Sequence, residues 1–266
     1  MAARSFTRRA SRFVRSETFR KHPLSSVARR FAWHARWRIQ RKPPLLRMPL
    51  GYELELAHTN ATSPIYFNRT FSDPPQAQFF MDAVKPGMTA IDCGAHVGEY
   101  SLLFSRLVGP TGHVHAFEPD PRIAAVLRRN VALNHADNVV VNEVAIADVE
   151  GTLSFTLDPE PSRSALSADG DVEHAIEVPV TSLDAYIAAQ SLARVDAIKV
   201  DVEGAALAFL SGAERVFRDL RPSAVSVECE ADDEGERVAA VLAGLGYEVA
   251  VSSRHIYPHV TGRLSR

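Results

Sequence analysis

The sequence predicts an α/β fold, a mostly parallel sheet with helices on both faces, and three observations predict it. From about residue 50 onward, short apolar runs alternate with amphipathic helical patterns, as successive βαβ units require. Glycines follow the first of these runs at a strand-to-helix turn, in Asp92-Cys93-Gly94-Ala95-His96-Val97-Gly98. The composition, 46% hydrophobic and 23% charged over 266 residues, is that of a chain able to bury a core. A disordered chain would be less apolar and more lopsided in charge. Cys93 and Cys229 are too few for a disulfide framework or a four-cysteine zinc site. No apolar run reaches the roughly 18 residues of a membrane-spanning helix.

The elements follow in order. Thr89–Cys93 reads as a short buried strand after the Pro86-Gly87 turn, and 98–108 as a helix with Leu103, Phe104 and Leu107 on one face. His113–Phe117 is the next strand. Asp120 is then an N-cap with Pro121 at the first helical position, and Ile123, Leu127 and Val131 form the apolar stripe of the helix. A third strand is expected over 138–146. The alternation breaks near 148, where 151–157 and 175–180 read as a hairpin pair around a Ser-rich loop. Thr181 to Asp184 resembles a capping box that starts a helix ending near Gln190. A strand over 195–201 precedes a helix marked by Leu207, Leu210 and Phe217. A strand over 223–230 carries Val225, Val227 and Cys229 on one face. Val238, Val241, Leu242 and Leu245 mark a last helix that stops at Gly246, and short strands are expected over 247–252 and 255–260.

The near-neutral net charge of -2 hides a split. Residues 1–47 carry 12 Arg and 2 Lys against Glu17, a net of +13, which leaves 30 - 14 = 16 basic and 32 - 1 = 31 acidic residues, a net of -15, in the remainder. Such a basic arm suggests an anionic partner. It lacks the apolar run of a secretory signal, and its Arg-rich, acid-poor composition also fits an organellar transit peptide. A basic amphipathic helix over 24–39 could lie on an anionic membrane surface or on nucleic acid. The bland alternative is a mobile tail whose later part packs on the acidic body. With one acid among so many arginines the segment has little means of internal neutralisation, so residues 1–40 are expected to be dispensable for folding and for cofactor binding. Pro43, Pro44 and Pro49 end any helix here.

The chemistry concentrates at the strand ends. Gly94 and Gly98 would let a ligand approach the backbone, and the helix behind them would offer free amides. Glu118 ends the second strand, 118 - 98 = 20 residues beyond the turn, the position of an acid that binds ribose hydroxyls. A nicotinamide dinucleotide site prefers G-x-G-x-x-G. Asp92 followed by Gly94 and Gly98 fits S-adenosylmethionine better, because Asp92 could meet its ammonium. The fourth strand runs into Lys199-Val200-Asp201-Val202-Glu203-Gly204, and residues i and i+2 of a strand share a face. Asp201, Glu203 and His96 are therefore candidate general bases, in that order; Lys199 has no assigned role. His113 and His115 read as strand packing. No metal-binding pattern is present.

These residues carry a resemblance. IDCGAHVGEYSLLFSRLVGPTGHVHAFEPDP at 91–121, LRRNVALN at 127–134, EVAIADVEGTLSF at 143–155, VPVTSLD at 178–184 and DAIKVDVEG at 196–204 together resemble the FkbM family of S-adenosylmethionine-dependent methyltransferases. The sequence departs from the family pattern at Ala206, in a region where members commonly carry a second acid. The resemblance implies a class I methyltransferase fold: a Rossmann-like, mostly parallel seven-stranded sheet with a reversed last strand. It also implies O-methylation of a sugar, glycan or secondary metabolite. Asp92, Gly94 and Gly98 would hold the methionine end, Glu118 the ribose and Glu143 the adenine, with Ala95, His96 and Pro119 also at the cofactor. The expected organisation is a basic arm over 1–49, an extension over 50–84 on the acceptor side, and the methyltransferase domain over 85–266. The expected setting is cytoplasmic, peripheral at a membrane if the arm (residues 1–42) binds one. A tRNA-type methyltransferase using the arm and LRRNVALN, and a cofactor-binding adaptor without turnover, are the competing readings. Against the first stands the acidic body, since phosphate tracking needs a basic face.

Overall fold

The computed structural model describes residues 23–35, 43–59, 61–157, 164–166, 175–202, 204–252 and 258–264. The elements in chain order are α1 (Pro23–Ala35), β1 (Leu45–Arg47), β2 (Glu53–Glu55), α2 (Ser63–Asn68), α3 (Pro74–Ala83), β3 (Thr89–Cys93), α4 (Glu99–Val108), β4 (His113–Phe117), α5 (Pro121–Leu133), β5 (Val139–Asn142), β6 (Ala145–Ile146), β7 (Gly151–Thr156), β8 (Ala165–Leu166), β9 (Ala175–Thr181), α6 (Leu183–Ala189), β10 (Ala197–Val200), α7 (Ala206–Ser211), β11 (Ala224–Glu228), α8 (Asp232–Gly244), β12 (Glu248–Ser252) and β13 (His259–Arg263).

Among the described residues, the main sheet has seven strands in the order β12-β13-β11-β10-β3-β4-β5. β11, β10, β3, β4 and β5 run parallel. The last strand, β13, is inserted antiparallel to both β11 and β12. The chain enters at β3, builds outward through β4 and β5, then returns to build the other half from β10. The boundary between β3 and β10 is thus a topological switch point, the place where open α/β sheets bind ligands.

The central strands are buried on both faces, as parallel strands covered by helices must be. Ala90 of β3 faces a core with Phe80, Tyr100, Leu103 and Phe104, whereas Ile91 and Cys93 face the opposite core with Phe117, Ile198, Val225 and Phe209. Residues 50–84 are not set apart from this body. Tyr52, Leu54, Leu56, Ile65 and Phe80 belong to the first core, and Phe80 packs edge-on against Phe104 at 4.8 Å. Asn130 and Asn134 of LRRNVALN lock the same layer in place. Their side chains accept from the amides of Glu55 and Glu53 and donate to the carbonyls of the same two residues. That motif therefore does structural work.

Several expectations change. The third strand is split: β5 ends at Asn142, and Ala145–Ile146 leaves the main sheet to pair with β9 in a second, four-stranded sheet ordered β6-β9-β7-β8. The strand expected over 195–201 ends at Val200, so the alternate-face argument does not reach Asp201; Glu203 lies outside the described residues. Ser182, not Thr181, caps α6 by accepting from the amide of Ala185, while Asp184 accepts from the amides of Arg215 and Val216. Val238 and Leu242 of α8 are buried, but Val241 is exposed. The 151–157 and 175–180 pair does form, as antiparallel β7 and β9, and Asp120 does cap α5.

Trp33 argues against the expected dispensability of residues 1–40. Its indole is 3% exposed and stacks at 5.0 Å from Tyr66 and 6.1 Å from Phe67, while Arg29 donates to the Phe67 carbonyl. A buried aromatic of this size packed on α2 makes α1 part of the fold. Trp33→Ala is expected to cost about 3 kcal/mol, since truncating a buried Trp removes its burial and leaves a cavity. Denaturant unfolding checks this; a midpoint equal to wild type would return α1 to the status of a tail.

Candidate active site

The carboxyl ends of β3, β4 and β10 converge on the Gly94–Gly98 turn. Register places Lys199 of β10 beside Asp92 of β3, and Asp92 beside Ala116 of β4. Both glycines are dictated by packing. Gly94 has φ 74, and a Cβ there would lie 1.8 Å from the carbonyl oxygen of Asp201; at Gly98, with φ 90, it would lie 2.6 Å from Leu127 Cδ1. The first lets the backbone after β10 cross close over the turn, and the second lets α5 pack against it. Most amides of the turn itself are bonded within the chain. The amides of Gly94 and Ala95 donate to the Phe117 carbonyl, that of His96 to Glu118 Oε2 at 2.9 Å, and that of Gly98 to the Ala95 carbonyl.

Asp92 lies at the base of this turn. Its side chain is 0% exposed, accepts from Ser101 Oγ at 2.6 Å and lies 3.5 Å from the Lys199 ammonium. Burial pushes its pKa up, and Lys199 and Ser101 only partly oppose this. Asp92 is buried beside Lys199, and its Oδ1 has no hydrogen-bond partner among the described residues. Lys199 also donates to the Gly94 carbonyl at 2.9 Å and to Asp201 at 3.2 Å. Burial opposes its charge, but Asp201 and Asp92 hold its pKa above the ordinary lysine value. Asp201 is the open partner of this triad, with a side chain 40% exposed.

Glu118 is buried at the end of β4 and accepts from the amides of His96 and Asp120. Burial pushes it up to about 7 despite those bonds. Pro119 follows it, half-buried, before the Asp120 cap. Glu143, just past β5, is half-buried and ion-paired to Arg128 of α5. His96 takes a left-handed conformation, φ 49, and its Nε2 is buried without a hydrogen-bond partner. Burial pulls its pKa down to about 4, so it is neutral at pH 7 and a weak base. His115 is similarly lowered by burial to about 4 and is occupied by the Tyr186 hydroxyl at 2.8 Å, which fits strand packing.

Two acidic groupings at this end of the sheet were missed. Glu99, first residue of α4, receives both the amide and the hydroxyl of Ser72, at 2.7 and 2.6 Å, and burial raises it to about 7. On the far side of Asp201, His259 of β13 is held between Asp73 and Glu228, 3.3 Å from each. Burial works against the imidazolium, yet the hydrogen bond and charge of Glu228, with Asp73, keep its pKa above the usual value. Gln76 completes this group, 3.2 Å from His259 Nδ1 and donating to Ser226. Lys199 had a sequence signal, a lysine inside an otherwise apolar strand between two aspartates. The His259 group had none, because Gln76 and His259 are 183 residues apart. No group of three or more metal-ligating side chains occurs among the described residues.

A seven-stranded sheet with an inserted antiparallel last strand, an acid at the end of the second strand and a glycine turn at the switch point define a class I methyltransferase. A solved structure with this architecture, the precorrin-6y C5,15-methyltransferase from Geobacter metallireducens GS-15, superposes with a TM-score of 0.50 at 14% identity, covering 80% of this chain and 95% of that one. The Methyltransferase FkbM domain family matches residues 92–249, and the chain belongs to that family. Among its relatives, the 31-O-demethyl-FK506 methyltransferase FkbM of Streptomyces tacrolimicus is 27% identical over 243 residues, 80% of this chain and 92% of the relative. The 2-O-methyltransferase NoeI of Sinorhizobium fredii is 27% identical over 161 residues, 52% of this chain and 62% of the relative.

Proposed function

We propose that this protein methylates a hydroxyl oxygen of a sugar, glycan or secondary metabolite, with S-adenosylmethionine as donor. The observation that carries the reading is the placement of Glu118 and Asp201 at the carboxyl ends of the two strands that flank β3, on either side of the switch point. The relatives whose names specify O-methylation support oxygen as the acceptor atom.

The residues fit the donor. Carboxylates at the mouth outnumber its one ammonium, which suits a ligand with a cationic sulfur and a cationic amine. The buried, unpartnered Nε2 of His96 offers a hydrogen-bond site beside them. S-adenosylmethionine supplies a methyl group on a positively charged sulfur, already activated as an electrophile. Glu118 would hold the ribose hydroxyls, with Pro119 beside it, and the His96 turn would line the methionine end. Gly94, Ala95 and Gly98 shape that turn, and Asp92 fixes it through Lys199.

The chain must then orient the acceptor and manage one proton. Orientation of a bound pair is worth about 7–11 kcal/mol of barrier. Asp201 is the carboxylate open to the acceptor, and it would take the hydroxyl proton onto its oxygen as the bond to carbon forms. The Lys199 ammonium donates to it at 3.2 Å and keeps it aimed. His96, held neutral with a low pKa, is the weaker candidate, and Glu203 stays a candidate outside the described residues. The Glu228–His259–Asp73 group borders Asp201 and would shape the acceptor pocket.

Calorimetry tests the donor. Binding of S-adenosylmethionine and of its demethylated product is expected, with no binding of NAD. Glu118→Ala should weaken it by about 1.5–3 kcal/mol, the scale of hydrogen bonds to a charged acceptor. Because burial raises Glu118 to about 7, its ionised form prevails only above that pH. Affinity should therefore fall several-fold from about pH 8 to about pH 6 as the acceptor carboxylate takes up a proton, and the slope should flatten in Glu118→Gln. NAD binding without the sulfonium ligand would sink the donor, and an unchanged Glu118→Ala would remove that residue from the site.

A further inference from the structure

Among the described side chains of helix α1, those that contact the body lie on one side. Trp33 and Arg29 face inward onto α2. On the opposite side Leu24 is 86% and Phe31 77% exposed, and Ala28, Ala32 and Ala35 are exposed with them. Those positions run i, i+4, i+7, i+8 and i+11, which in an α-helix is a single stripe. The buried indole fixes the helix in rotation, so the stripe stays turned outward.

The charge around it identifies the occupant. Residues 1–47 are +13 by sequence, while the rest of the chain is -15. A polyanion would satisfy the arginines and leave Leu24 and Phe31 in water. An anionic bilayer satisfies both, because headgroups attract the arginines while the acyl boundary takes up the apolar stripe. The same negative surface repels the acidic body and orients the molecule with α1 toward the lipid. Ser72, four residues beyond α2, binds Glu99 beside the glycine turn, which links the helix support to the site mouth.

We propose that α1 docks this protein on an anionic membrane surface, with Leu24 and Phe31 inserted at the headgroup boundary. The surface is independent of the methyl-transfer reading. The test is co-sedimentation of the full-length chain with phosphatidylcholine vesicles containing roughly 30% phosphatidylglycerol, against vesicles of phosphatidylcholine alone. Binding to the anionic vesicles only is expected, weakening steeply between about 0.1 M and about 0.5 M salt. Leu24→Ser with Phe31→Ser should lower the partition about tenfold or more, because two inserted apolar side chains are lost. Its thermal melt and its S-adenosylmethionine affinity should match wild type, since neither residue touches the core or the site. Failure to bind anionic vesicles overturns the proposal, as does equal binding by the double-serine variant, which would leave the arginines acting alone. Tighter, stripe-independent binding to single-stranded RNA would assign the arm to nucleic acid. A two-chain mass by light scattering that the variant abolishes would make the stripe a dimer face instead.

Discussion

Asp201→Asn is expected to lower turnover about 10²–10⁴-fold, the range that positioned proton acceptors contribute, while donor affinity stays within about twofold of wild type. Asparagine keeps the shape and the hydrogen bond from Lys199 but cannot accept a proton. The side chain is open to solvent and makes one contact of consequence, the 3.2 Å bond to that lysine. The fold therefore loses little, and a matched melt should accompany the loss of activity. His96→Gln is the control at the glycine turn, where an imidazole lowered to about 4 makes a poor base. Single-turnover assays with mass detection of the methylated product separate the outcomes. A dead but donor-binding His96→Gln beside an active Asp201→Asn would move the base into the turn. Full activity in both, and in Glu203→Gln, would mean that orientation suffices without a side-chain base.

How far the sequence discloses this site depends on the range of each interaction. Local signals survive well. The Asp120-Pro121 start of α5, the glycine turn and the strands β3 and β4 all depend on neighbours within a few residues, and all form where expected. Purposes assigned to residues fare less well, because they depend on what crosses the site from afar. Gly94 reads as room for a ligand, yet its space is taken by the backbone of Asp201, 107 residues later in the chain. Asp92 reads as a ligand-binding acid, and nothing local reveals that its register partner on β10 is a lysine. Trp33 sits among arginines and reads as part of a tail, because nothing local reveals that Tyr66 and Phe67 provide its pocket. The asparagines of LRRNVALN suggest recognition by sequence and turn out to bind the edge of β2. Backbone partners more than 70 residues away leave no periodic trace to read.

The Lys199–Asp92 pair carries the largest expected effect on the fold. Lys199→Met preserves the volume of the stem and removes the ammonium, leaving the fully buried Asp92 carboxylate with Ser101 Oγ as its hydrogen-bond donor. Breaking a buried pair by removing one partner costs about 3–5 kcal/mol, because the remaining charge stays desolvated and uncompensated. The Gly94 carbonyl loses its 2.9 Å donor in the same step, so the turn should loosen as well. The pH dependence has a definite sign. Burial already raises the Asp92 pKa in the folded protein, and loss of Lys199 raises it further, so the folded variant binds a proton that the unfolded chain releases. The deficit of Lys199→Met should therefore be greatest near neutral pH and shrink as the pH falls toward the ordinary aspartate value. Adding Asp92→Asn should recover much of the loss, since the double variant contains no buried charge at this position, and the double-mutant cycle then gives the coupling directly. Urea unfolding of the four proteins at two pH values measures all of these quantities. A Lys199→Met midpoint within about 1 kcal/mol of wild type, or a cycle that is additive, would mean that solvent reaches Asp92 and that the pair does not hold the glycine turn.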